Sequence, residues 1–183
     1  MLAGIEDPRP GYLLSMTNTD GVTKVAELMS EAGLCMFTTV GRDGHLISRP
    51  MALQEAEFDG DLWFFAAQDS RKVRDIAADP TVNVSFQSGQ GWVSLSGTAA
   101  VVENKAKAEE LWNSRAAAWF EKNPDSREVA LIHVAAEGAE YWSTPGSKVS
   151  TLLAYAKAKV THERPNLGEN DVVELELPNT STS

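Results

Sequence analysis

From Val22 the apolar positions Val22, Val25, Leu28 and Met29 recur with the spacing of one helical face, and Gly33 stands where a left-handed C-terminal cap belongs. The period then changes. Leu34 to Val40 is rich in β-branched and aromatic residues, Gly41-Arg42-Asp43-Gly44 supplies a turn, and His45 to Gln54 resumes an extended pattern, which predicts a hairpin. Leu62 to Ala67 predicts a third strand after Asp59-Gly60, and a short helix is expected from Ser70 until Asp79-Pro80 stops it. Thr81 to Gln87 alternates, Ser88-Gly89-Gln90-Gly91 turns, and Trp92 to Glu103 gives a long partner strand.

Asn104 is placed to cap a helix running through Phe120, with Ala108, Leu111, Trp112, Arg115, Ala116, Trp119 and Phe120 as its broad, mostly apolar stripe. Val129 to Ala135 and Ala139 to Trp142 predict a third hairpin bent at Gly138, and Ser147 to Lys159 a last helix after Pro145-Gly146. Residues 1–18 hold little periodicity and are expected to form an arm, with one domain over 19–160 and a polar tail over 161–183. In that tail Val172 to Leu177 can add an edge strand, and Asn179 to Ser183 is expected to be disordered. Antiparallel strands with peripheral helices, and no regular strand–helix alternation, predict a mostly β, α+β fold built on a small barrel.

Composition narrows the function. A formal net charge of -10 argues against nucleic acid or an anionic membrane surface as partner, while leaving room for a small anion at a local cationic cluster. The single cysteine, Cys35, lies in the apolar run LCMFTTV with no activating base and is read as a buried thiol. There is no signal-like N-terminal segment and no apolar run near the ~18 residues of a membrane span, so a cytoplasmic protein is expected.

Most chemistries are removed by spacing. His45, His133 and His162 fall on separate segments without metal-ligand spacing, and His133 reads as a strand residue facing solvent or an interface. No Gly-x-Ser-x-Gly, Gly-x-Gly-x-x-Gly or Walker-type loop occurs. What remains is Ser70-Arg71-Lys72. A serine able to cap a helix, followed by two cations in its first turn, sets N–H donors and positive side chains at the positive end of a helix dipole, which suits a phosphate. Cations there are disfavoured unless an anion joins them, so the run requires either a ligand or an acidic neighbour. Arg49, on the second strand, can offer a bidentate fork to a phosphate or ring carbonyl, or sit in a structural salt bridge. Trp63, Phe64, Phe65 and Trp92 can wall a planar ring or simply fill core.

Taken together, Ser48-Arg49-Pro50-Met51, Trp63-Phe64-Phe65, Ser70-Arg71-Lys72, Trp92 to Gly97, and Tyr141-Trp142 followed by Pro145 and Lys148 resemble the split-barrel flavoproteins related to pyridoxamine 5′-phosphate oxidase, most closely the FMN-binding general stress protein branch. The resemblance spans Val22 to about Lys159. It implies an antiparallel split β-barrel, a homodimer with FMN at the subunit interface, and a redox or stress-related role. Arg49, with Pro50 and Met51 beside it, would contact the flavin; Phe65 and Ala66 would line the ring; Ser70, Arg71 and Lys72 would hold the phosphate. Trp92 matches a ring-contacting position, and Trp142, with Lys148 beyond it, the place where the second subunit closes the site. Two departures accompany these matches. The stretch after Trp142 lacks the arginine and histidine that the oxidases use on their substrate, and Gln54 replaces a lysine near the phosphate. Vitamin B6 phosphate oxidation is therefore not expected. A flavin-binding or storage protein without a substrate, and a deazaflavin-dependent reductase using the same groove, stay open as alternatives.

Overall fold

Alternation decides which side of each strand turns inward. In β1 (Leu34–Val40), Cys35, Phe37 and Thr39 are buried while Leu34 and Met36 are exposed; in β2 (Leu46–Ala52), Met51 is buried and Leu46 exposed. The computed structural model describes residues 19–54, 58–121, 123–124, 126–143 and 169–174. Its other elements are α1 (Thr19–Ala32), β3 (Asp61–Ala67), α2 (Arg71–Ala78), β4 (Thr81–Gln87), β5 (Gly91–Val102), α3 (Lys105–Leu111), α4 (Ser114–Phe120), β6 (Val129–Ser143) and β7 (Glu169–Glu174).

The strands form one antiparallel sheet in the order β2-β1-β4-β5-β6-β3. β3 and β7 share one edge of the long β6, β3 along Val129–Ala135 and β7 along Gly138–Ser143. The sheet curls until its two ends meet after β2, where Gln54 N donates to Trp63 O at 3.1 Å. This is the split β-barrel that the sequence predicts.

Inside the curl Phe37 meets Phe64 edge-to-face at 5.1 Å, and Val25, Leu28 and Met29 of α1 with Val73 and Ile76 of α2 close over them. A second cluster joins Phe65 and Leu131 to Ala108, Leu111 and Ala116, so α3 and α4 cover the outer face of β3 and β6. Burial on both faces explains why Leu62 to Ala67 is a continuous apolar run without polar alternation.

Four expectations change. The helix expected over Asn104–Phe120 is two helices, because Trp112 turns extended (ψ 119°) and Asn113 becomes a cap. Its Oδ1 accepts from Arg115 N and Ala116 N, both at 3.0 Å, and its Nδ2 donates to Gln54 Oε1 at 3.0 Å. The third hairpin is instead one continuous strand, β6. Ser96 pairs with Gly138 but Gly97 with Ala136, so Glu137 is an extra residue absorbed as a bulge. Gly138 reads as a bend locally, yet β5 holds both sides of it. The last strand, expected at Val172–Leu177, is Glu169–Glu174. The first helix starts at Thr19, ahead of the expected Val22. The helix expected over Ser147–Lys159 lies outside the described residues.

Candidate functional site

The β3–α2 turn delivers Ser70 in extended conformation (φ −68°, ψ 155°), ready to cap a helix, but its side chain makes no capping bond. Its Oγ is buried and has no hydrogen-bond partner among the described residues. A buried hydroxyl left unpaired costs about 1–3 kcal/mol, so native structures rarely keep one without use. The first amides of α2 likewise have no acceptor within the helix. Arg71 and Lys72 follow, and the first turn contains no acid. α2 is fixed to the barrel by Val73 and Ile76, so these donors are presented by a rigid element.

Arg49 reaches the same corner from β2. Its Nη1 donates to Thr39 Oγ1 at 2.9 Å and Phe37 O at 3.3 Å, and its Nη2 lies 3.5 Å from Asp75 Oδ2. Thr39 Oγ1 in turn donates to Asp75 Oδ2 at 2.9 Å. Arg71 Nε stands 3.9 Å from Asp75 Oδ1. Gly41, where β1 turns back, sits under the side chains of Asp43, Ile47 and Arg71: a Cβ there would stand 2.8 Å from Asp43 Oδ1 and Ile47 Cδ1 and 3.3 Å from Arg71 Nη2. Burial, and then the charge of Arg49, hold the Lys72 ammonium below its ordinary pKa. Burial also lowers the Arg49 value; Asp75 opposes that effect and Arg71 adds to it. Each cation feels another, so this corner favours an incoming anion.

Arg49, Ser70, Arg71 and Lys72 are therefore brought together. The other candidates are distributed differently. Pro50 is on the opposite face of β2 from Arg49, and Met51 is in the core. Phe65 packs edge-on against Trp112 and Phe120, and Ala66 is in the main core, so both side chains are used in packing. Phe64 is core, and Trp63 stacks on His133 with ring centroids 4.5 Å apart. His133 Nε2 lies 2.8 Å from Asp61 Oδ1 but off the hydrogen-bond direction, so the pair is an ionic contact only when the imidazole is protonated. Trp92 and Trp142 are register partners on the outer face of β5 and β6, 46% and 40% exposed, away from the inward-facing Arg49. Lys148 lies outside the described residues. Cys35 is buried, burial pushes its pKa up to about 12, and its Sγ donates to Met51 O at 3.4 Å. It is a core thiol, as expected. Among the described residues no metal-binding group of His, Cys, Asp or Glu occurs, and no helix is long and apolar enough to cross a membrane.

Sequence reasoning missed Thr39 and Asp75. Two signals point to them. Arg71 and Asp75 are four apart on one helix, and Thr39 is a polar residue at an inward-facing position of β1, where it requires a partner.

The sequence pattern of the family described as pyridoxamine 5′-phosphate oxidase like matches residues 20–166. The chain belongs to that family. Protein bli-3 of Neurospora crassa is 28% identical over 152 residues, covering 76% of this chain and 73% of that protein. A general stress protein 26 candidate from Jannaschia sp. CCS1 superposes with a TM-score of 0.71 at 25% identity, over 85% of this chain and 98% of that one. The general stress FMN/FAD binding protein of Xanthomonas citri superposes with a TM-score of 0.60 at 27% identity, over 70% and 93%. The two solved structures share the overall fold of this chain.

Proposed function

We propose that this protein is a flavin-binding protein of the general stress type, holding FMN by its phosphate at the start of α2, in a redox role that does not include pyridoxamine phosphate oxidation. One observation carries the reading: the buried, unpartnered Ser70 Oγ stands at a helix start where Arg71, Lys72 and Arg49 converge. A phosphomonoester satisfies all of them at once, since it brings three acceptor oxygens and about two negative charges at pH 7. With Lys72 protonated, three cations against Asp75 leave a surplus of two positive charges, which matches the dianion.

In this reading Ser70 Oγ and the α2 amides donate to phosphate oxygens, Arg71 and Lys72 neutralise them, and Arg49 supplies a fixed guanidinium edge from β2. The exposed Trp92 and Trp142 of one copy complete the ring pocket against another, which makes the unit a homodimer. The isoalloxazine supplies the electron chemistry, and the chain supplies binding and orientation. The flavin-binding neighbour from Xanthomonas citri supports the cofactor class. Missing substrate cations after Trp142 support the exclusion of vitamin B6 phosphates.

The test is spectroscopic. Purified protein is expected to take up one FMN per subunit with a rise in melting temperature, since a ligand that binds the native state stabilises it. Lys72→Ala should weaken FMN by roughly tenfold or more, with riboflavin little changed, because only FMN carries the phosphate. A protein whose spectrum and melting temperature ignore FMN refutes the reading. Mass spectrometry of the released cofactor separates FMN from another flavin or a deazaflavin, and NAD(P)H turnover of the loaded protein separates a catalyst from a storage protein. Pyridoxal phosphate and peroxide formation at ordinary enzyme rates would refute the excluded activity.

A further inference from the structure

We infer that Thr39 and Asp75 are positioning residues that fix the Arg49 guanidinium so that only one edge of it is available to a phosphate. The inference rests on the phosphate-clamp reading above and goes beyond it by assigning roles to two residues on different elements.

The three side chains form a closed triangle. Thr39 Oγ1 lies 2.9 Å from both Asp75 Oδ2 and Arg49 Nη1, and Arg49 Nη2 lies 3.5 Å from Asp75 Oδ2. Chemistry fixes the direction of each contact. A guanidinium only donates, so the Thr39 oxygen must accept from Arg49 and send its single proton to the carboxylate. Phe37 O takes a further Nη1 contact at 3.3 Å, so Nη1 points wholly into the barrel. Nη2 turns one hydrogen toward Asp75, and its other hydrogen with that of Nε forms the edge of the fork left for a ligand.

Burial makes the arrangement rigid. Thr39 and Asp75 are 0% and 3% exposed, on β1 and α2 respectively, both packed into the main core. A long arginine at a surface loses rotamer freedom when it clamps a ligand, whereas one already held loses little on binding. Asp75 also offsets one of the cations brought together beside it, which lowers the cost of assembling them before the anion arrives. The triangle therefore preorganises the clamp.

The experiment compares wild type, Thr39→Val, Thr39→Ser and Asp75→Asn by titration with FMN, riboflavin and inorganic phosphate, alongside apo-protein melting temperature. Valine keeps the shape of threonine and removes the relay, so Thr39→Val should weaken FMN about tenfold or more and leave riboflavin within about twofold. Thr39→Ser keeps the hydroxyl and should stay near wild type. Asp75→Asn keeps an acceptor but not the charge, and should weaken FMN as well. Tighter FMN in Asp75→Asn would make Asp75 merely an opposing charge and overturn the inference. So would unchanged FMN affinity in Thr39→Val, or equal losses for FMN and riboflavin. If Thr39→Val does not fold, the Asp75→Asn titration decides. The phosphate arm separates the two readings: stabilisation of wild type by phosphate that is lost in Thr39→Val upholds the positioning roles even where FMN itself does not bind.

Discussion

At the scale of the residue, Lys72 carries the clearest solution signature. Its folded pKa lies below the ordinary 10.5 because burial and Arg49 disfavour the ammonium. Between those two values the unfolded chain holds more of the proton, so the free protein gains stability as pH rises through that window. Phosphate binding has the opposite linkage, because an anion favours the ammonium. FMN affinity is therefore expected to fall as pH rises through the lowered Lys72 value, at a lower pH than an ordinary lysine would give. Titration of Kd from pH 7 upward, with riboflavin to correct for ring ionisation, checks this. Lys72→Ala should remove the alkaline limb, and an identical limb in the variant would assign it to another group. On the acid side affinity should decline near pH 6, where the phosphate takes up its second proton.

At the scale of the element, the β5–β6 pairing is where backbone geometry sets the limits. Gly97 sits opposite the bulge, and a Cβ there would stand 2.1 Å from Ala135 O and 3.0 Å from Ala136 Cα. Both atoms are backbone of the paired strand, so neither can swing aside. Gly97→Ala is expected to destabilise the protein by about 2–3 kcal/mol, the scale of an overpacked interior, lowering the melting temperature by about 5–10 °C. A calorimetric shift under about 1 °C would show that the bulge relaxes freely. The same pairing explains the misplaced hairpin. A turn signal at Gly138 is local, whereas β5 continues as a strand on both sides of it, and the ladder prevails. The helical break at Asn113 has a similar origin. Alanine-rich periodicity runs through it, but the Asn113 amide is drawn to Gln54, remote in sequence and adjacent in space.

At the scale of the whole molecule, one end of the outer sheet face exposes several large apolar side chains among polar ones. Trp92 and Trp142 are exposed register partners there, and Met36 and Val172 are exposed in the neighbouring row, with Ser85, Ser94 and Glu140 between them and Leu34 beside Met36 on β1. Exposed apolar surface of this kind marks a protein contact, and closed two-fold symmetry is the commonest way to cover it. We expect a dimer by light scattering at micromolar concentration. Trp142→Glu should shift it toward monomer and lose FMN in the same titration, since the ring pocket is shared in the proposed assembly. A monomeric wild type, or a variant that stays dimeric and keeps FMN, would remove Trp142 from the interface.

The strands from Leu34 to Val102 and the presence of a cationic corner were legible in the sequence, because period-two alternation, turn residues and a capping triplet are local signals that survive into the folded chain. The barrel class followed from their order. What Arg49 does was not legible. A strand arginine can meet a ligand or an acid, and only the curl of the sheet, bringing β1 and β2 against α2, makes Thr39 and Asp75 its partners. Ser70 was read both as a cap and as a phosphate donor, and tertiary packing, which leaves its hydroxyl buried and without a capping bond, decided between the two uses. Local sequence set which elements form and which charges they carry. Contacts between residues far apart in the chain decided which charges are already neutralised and which still require a partner.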